Sequence, residues 1–240
     1  KARVFSFLIV LEIFQPISGY QVVQGFDDEA HRNMSRRAVQ ESTLDSFLLP
    51  RDFPGGIEEP IFNGQNAREL IQQGAIDEDR PMLWRPRHHF HNPRLAWDQA
   101  GWRPPPVSVQ LGESSVLWSQ DEGQIVGGKH SWKDARDSYF QALISTSDSD
   151  RKRLYAETFK SVGHLIHLVQ DAAFPSHTRN DTHLSYFGIG NPDAFHGWAE
   201  GQDALGIIAA SAPPAFDISL LNQPSPDAQA PVPISRLIDS

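Results

Sequence analysis

The sequence predicts an all-α domain. Three observations carry that prediction. Apolar residues recur at helical spacing in several separated stretches, no apolar–polar alternation of strand length occurs, and neither an internal repeat nor a Gly-rich phosphate loop is present. A chain of 240 residues matches one ordinary domain with a core of its own. With no cysteine it excludes a disulfide scaffold, a thiol nucleophile and a Cys-ligated zinc site. Its 21 Lys plus Arg against 30 Asp plus Glu give a net charge of −9, which argues against a broad electrostatic grip on nucleic acid or anionic membranes. The 10 histidines, clustered and mostly near acidic residues, are the compositional feature that points to a chemistry. Without Cys, zinc chemistry here must come from His and carboxylates.

Along the chain, Lys1 and Arg3 precede the apolar run Val4 to Phe14, then Pro16, Ser18 and Gly19. Residues 1–20 read as a secretory signal peptide or as an N-terminal hydrophobic segment, the run being shorter than the roughly 20 residues a membrane span needs. Residues 21–210 form the expected helical domain. Asp28 to Leu49 reads as one helix, with acidic residues first and Ala30, Met34, Ala38, Phe47 and Leu48 on a stripe beside which His31 lies. Pro50, Pro54, Gly55 and Gly56 end it. A second helix is expected over Asn66 to Gln73, with Gly74 as its C-cap. From Asp77 to about Gly128 the chain is irregular, and Trp84, Trp97, Trp102 and Trp118 argue that it packs in order. Helices follow over Ser131 to Ile144 and Ser149 to about Ala173. In the latter Phe159, Val162, Ile166, Val169 and Ala173 form the expected buried stripe and Pro175 the stop. One more helix is expected from near Pro192 to about Ala210. Residues 211–240, holding six prolines, read as a loose tail or a truncated end.

At 100° per residue, His164, His167 and Asp171 fall within about 60° of one another, opposite that apolar stripe, as a polar edge. His167 and Asp171, four apart, bring their Cβ atoms to about 5–6 Å, close enough to share a metal ion. Pro175 bends the chain so that His177 can turn back over the same opening, and His196 and Glu200 repeat the four-residue spacing. A second cluster places Asp77, Glu78 and Asp79 in a turn about ten residues ahead of His88, His89 and His91, only one of which needs to face a metal. Near these, His164 reads as a cleft-edge group. Arg179, Asn180 and Asp181 read as loop-folding residues.

The order His31, acidic turn, His89-Phe90-His91-Asn92-Pro93, His167-xxx-Asp171-xxxxx-His177 and His196-xxx-Glu200 resembles the zinc-dependent phospholipase C and P1/S1 nuclease superfamily over about residues 28–200. The HF-x-x-P and HxxxDxxxxxH elements are similar to its phospholipase C branch. The resemblance implies an all-helical single domain with long Pro/Trp-rich loops, holding two to three zinc ions. One zinc would take Asp79 (Asp77 in reserve), His89 and His167, with Asp171 bridging to a zinc that also takes His31. His177, His196 and Glu200 would hold the remaining ion, with His183 the alternative to Glu200. In the family an N-terminal Trp completes the site that takes the counterpart of His31, and no Trp precedes His31 here. The implied activity is hydrolysis of a phospholipid headgroup ester, with metal-bound water attacking phosphorus, Asp171 bridging and Asp79 as ligand and general base. A P1-like single-strand nuclease is the alternative within the superfamily, and a non-catalytic zinc-stabilised module the alternative outside it. The expected setting is secreted or periplasmic, as a monomer with transient membrane-surface contact and no stable nucleic-acid complex.

Overall fold

The computed structural model describes residues 28–48, 52–82, 84–104, 109–181, 194–199, 201, 206–207, 210 and 233–238. The described residues are helical, with no strand beyond an isolated bridge between Phe62 and Gln65. No helix among them is long and apolar enough to cross a membrane.

Helix α1 covers Asp28–Glu41, its first turn carrying Asp28 and Glu29 where negative charge complements the helix dipole. It stops earlier than expected because Ser42 takes over the backbone bonds. Its hydroxyl donates to Val39 O at 2.8 Å and accepts from the Leu44 amide at 3.2 Å, and a separate helix α2, Leu44–Leu48, starts beyond it.

Helix α3, Ala67–Asp77, opens on a capping box. Asn66 accepts from the Glu69 amide and Glu69 accepts from the Asn66 amide, both at 3.0 Å. The expected stop at Gly74 is overturned: the helix continues to Asp77. Gly74 is the place where α3 touches the long helix α6 (Asp148–Ala172). A Cβ on Gly74 would lie 2.0 Å from Lys160 O, and one on Gly163 would lie 2.1 Å from Ile71 O and 2.9 Å from Gly74 Cα. Only glycine permits this approach of two backbones. It sets Glu78 and Asp79, directly after α3, against the second half of α6.

After the short helix α4 (Ser115–Trp118), helix α5, Trp132–Ile144, opens on a second capping box made by Ser131 and Asp134. Helix α6 starts at Asp148 behind the N-cap Ser147. Its first half packs Tyr155, Ala156 and Phe159 against Val39, Phe53, Leu70, Ile71 and Ala142, and its second half packs Leu165 and Leu168 against Trp97, Val116, Trp118 and Ala135. The expected orientation of α6 is therefore corrected. Of the expected stripe only Phe159 is buried; Val162, Ile166 and Val169 are half-buried and Ala173 is exposed. The supposed polar edge is the deep face, with His164, His167 and Asp171 all buried, because α3 and the acidic turn cover it and supply polar partners.

Helix α7, Pro175–Arg179, has proline in its first turn, and helix α8 covers Ala194–Ala199. The part of the expected loose tail that is described is a helix, Pro233–Ile238, whose Ile234 and Ile238 are buried with Trp97, Trp118 and Leu168. The first 27 residues, where the signal peptide or hydrophobic segment was expected, lie outside the described residues.

Candidate metal centre

Six candidate ligands from separate parts of the chain meet at the deep face of α6. His31 comes from α1, Asp79 from the turn after α3, His89 from the loop, His167 and Asp171 from α6, and His177 from α7. None is more than 2% exposed. Ligand atoms of His31, His167 and Asp171 lie within 4.8 Å of one another, as do those of Asp79, His89 and His167, so His167 belongs to both groups. Asp171 sits at the middle. Its Oδ2 lies 2.9 Å from His89 Nδ1, 3.1 Å from His167 Nε2 and 3.1 Å from His177 Nδ1, while Oδ1 lies 3.5 Å from His31 Nε2. Asp79 Oδ1 is 3.5 Å from His89 Nδ1 and 3.8 Å from His167 Nε2.

The outward nitrogens decide what this cluster can do. His167 Nδ1 donates to the carbonyl of Ala75 at 2.6 Å, and His31 Nδ1 donates to Gln170 Oε1 at 2.6 Å. The Gln170 amide donates to Ser35 Oγ at 3.1 Å, which fixes its oxygen toward His31. Each ring thus keeps a proton on its outer nitrogen, so that the inner nitrogen is the one left to offer a lone pair to a metal, the tautomer that ligation requires. Four imidazoles and two carboxylates are a donor set that suits zinc.

Charge in the centre points the same way. Burial, and then the His167 ring stacked on it at 3.8 Å, push His31 down to about 3. Burial also opposes charge on His89, yet the neighbouring carboxylates of Asp171, Glu78 and Asp79 raise it to about 10. His167 is raised too, against burial, by Asp171 and Asp79. Asp171 is held well below the usual carboxylate range: burial opposes this, and His177 and His167 outweigh it. Asp79 is pushed up, first by burial, then by Asp171 and Glu78, and its buried Oδ2 has no hydrogen-bond partner. A buried acceptor left in that state costs about 1–3 kcal/mol, which a cation would recover.

In the metal-free protein, protons supply positive charge where a cation fits. Metal uptake at neutral pH would therefore release protons, His89 being raised to about 10. The sign is that affinity rises with pH, by about tenfold per pH unit for each proton displaced. Calorimetry of zinc binding in buffers of different ionisation enthalpy measures that number, and buffer-independent heats would refute it.

Neighbouring residues fall as follows. Of the acidic turn, Asp79 faces the centre and Asp77 does not, being held by Lys160 Nζ and the Gln73 amide, both at 2.7 Å. Of the three clustered histidines, His89 faces it. His88 accepts from the Glu113 amide at 3.0 Å and stacks on Trp118, while the His91 amide donates to the His177 carbonyl at 3.1 Å. His164 meets Glu78 at 2.5 Å. In the loop after His177 Asn180 donates to the Gly101 carbonyl, a side-chain bond to backbone of the expected kind, whereas Arg179 donates to the Asp181 side chain, both at 2.8 Å. Glu200, the His196 side chain and His183 lie outside the described residues. Sequence reasoning missed Gln170 and the role of Glu78. Glu78 stays ionised: burial opposes its charge, and Arg85 and His164 outweigh that. Its signal was its place beside Asp79; Gln170 had none. Among known proteins, no family model, no curated protein and no solved structure matches the chain.

Proposed function

We propose that the chain is a zinc-dependent phosphodiester hydrolase of the phospholipase C type, acting on a phospholipid headgroup ester at the centre formed by His31, Asp79, His89, His167, Asp171 and His177. The observation that carries the reading is the tautomer arrangement: His31 and His167 hold outer protons on fixed acceptors while their inner nitrogens converge on Asp171. Zinc, when bound, polarises a phosphoryl oxygen and makes water acidic near neutral pH. The residues do the rest. Asp171 holds the imidazoles in register. Asp79 turns Oδ1 to His89 and His167 and leaves Oδ2 to take a proton from the attacking water, a task its raised proton affinity suits. The positive field comes from the centre and not from Lys or Arg, which reconciles a −9 chain with an anionic substrate. His196 and Glu200 complete the proposed ligand set. The reading includes secretion or a periplasmic setting, supported by the run Lys1 to Phe14, and a monomer that meets membrane surfaces transiently.

A second reading, a zinc-stabilised module without turnover, is favoured by one observation: all six described ligands are at most 2% exposed. Elemental analysis of the purified chain, with hydrolysis of a chromogenic phosphocholine diester with and without chelator, separates the two. Two to three zincs with chelator-sensitive turnover support the hydrolase, and bound zinc without turnover supports the module. Turnover of single-stranded DNA alone would move the assignment to a nuclease, and absence of zinc would overturn the metal centre.

A further inference from the structure

Glu78 contributes no atom to the ligand groups above, yet its carboxylate is fully buried and four side chains converge on it. Oε2 accepts from Arg85 Nε at 3.1 Å and Nη2 at 2.5 Å, and meets His164 Nδ1 at 2.5 Å. Oε1 accepts from Trp118 Nε1 at 2.9 Å and lies 3.6 Å from His89 Nε2, a few tenths beyond a hydrogen bond. Arg85 is itself fixed, donating to the carbonyls of Val126 at 3.1 Å and Gly128 at 3.2 Å. Burying a carboxylate costs several kcal/mol, so a core in need of packing alone would use an apolar residue here. What distinguishes this carboxylate is the nitrogen it faces. His167 and His31 direct their outer nitrogens at a carbonyl and an amide oxygen, whereas His89 directs its outer nitrogen at an anion.

We propose that Glu78 is a positioning residue that keeps the proton of His89 on Nε2, so that Nδ1 offers its lone pair to a metal held with Asp79, His167 and Asp171. Arg85 supplies the counter-charge that lets the carboxylate stay in place. In the opposite tautomer Nδ1–H would point into the centre and repel a cation. An anionic partner also makes the ring a stronger donor to metal than a neutral one does. The inference rests on the metal-centre reading and adds to it which nitrogen of His89 binds, and why.

The test uses the full chain and Co2+, whose visible spectrum reports ligand geometry. In Glu78→Gln the three surrounding donors, Arg85, Trp118 and His164, compete for the single amide oxygen, leaving the amide N–H to face His89 Nε2 and favour the wrong tautomer. Co2+ affinity is expected to fall by about 10–100-fold, with a changed visible spectrum. Trp118→Phe removes a different bond to the same carboxylate, and is expected to lose thermal stability while keeping the Co2+ spectrum and affinity. A purely structural role for Glu78 would move both variants alike and overturn the proposal, as would Glu78→Gln binding Co2+ with unchanged affinity and spectrum. Should Glu78→Gln fail to fold, long-range 1H–15N spectra of the unaltered zinc-loaded chain decide: a proton on Nε2 of His89 supports the proposal, and ligation through Nε2 overturns it while leaving the metal centre standing. Failure of the unaltered chain to bind Co2+ or zinc would overturn both.

Discussion

Asp171→Ala is expected to abolish metal binding, not merely weaken it. Among the described residues the carboxylate is the one group within 3.5 Å of inward nitrogens from His31, His89, His167 and His177, so its removal leaves four imidazoles around a space with no anion at its middle. Losing a partner that holds a ligand from behind typically costs 10–100-fold in metal affinity; losing this shared inner group is expected to exceed that and to remove any turnover with it. The metal-free fold suffers as well, because breaking a buried ion pair costs about 3–5 kcal/mol. Its pH dependence has a fixed sign. Asp171 is depressed in the fold, so its contribution is present above its ordinary 3.8 and fades as pH falls below that. His89 is raised, so its contribution is full below 6.5 and is lost as pH rises through about 10. The stability gap between unaltered and variant chains, both stripped by chelator, is therefore widest between about pH 4 and 6.5 and closes toward pH 10. Urea unfolding across that range measures it, with elemental analysis for the metal. Full zinc occupancy in Asp171→Ala would sink the assignment of this residue.

Gly163→Ala tests the scaffold beneath the centre. By helix propensity alone the change stabilises α6 by about 1 kcal/mol. Sterics decide the other way. The added methyl would lie 2.1 Å from Ile71 O and 2.9 Å from Ala75 N, and these are backbone atoms of α3 that no rotamer change can move aside. Overpacking costs typically 1–3 kcal/mol where side chains can adjust, so a contact on rigid backbone lies at or above the top of that range. A net loss of at least about 2 kcal/mol is expected, which lowers Tm by roughly 4–8 °C in a domain of this size. The damage also reaches the ligands, since the carbonyl of Ala75, beside the clash, is what His167 Nδ1 donates to. Calorimetric unfolding and zinc titration of the same variant are expected to fall together. A more stable Gly163→Ala would mean that α3 and α6 can separate at no cost.

These two residues mark what the sequence made readable. His167 and Asp171 were legible because four-residue spacing fixes their proximity on any helix, whatever packs around it. The start of α5 was legible because Ser131 acts through bonds to a residue three positions on; α6, expected from Ser149, begins one residue earlier, at Asp148 behind the N-cap Ser147. Gly74 was not, since a glycine near a helix end has the same local pattern whether it caps the helix or touches a neighbouring backbone. Nor was the burial of the His164–His167–Asp171 face: periodicity ranks residues by polarity, and here polarity is satisfied inside by Glu78, Ala75 O and His89, which lie far away in sequence. Only the resemblance puts Asp79 ahead of Asp77; the physical reason, where α3 ends and Lys160 taking Asp77, is one the sequence does not display.

The contacts around the centre span 78 positions between His89 and His167, 92 between Ala75 and His167, and 139 between His31 and Gln170. Closing loops of that length comes late in folding and is paid in chain entropy. His167 and Asp171 are neighbours on α6 alone, but the full ligand set would form only once α1, α3 and α6 have docked. An ion bound there at a hundred times its Kd would add about 2.7 kcal/mol to all of these closures at once, and so would act as a latch on the whole assembly. Stripping it lowers the cooperative unfolding of the entire domain, and a hydrogen-exchange experiment would see protection fall in all three helices together.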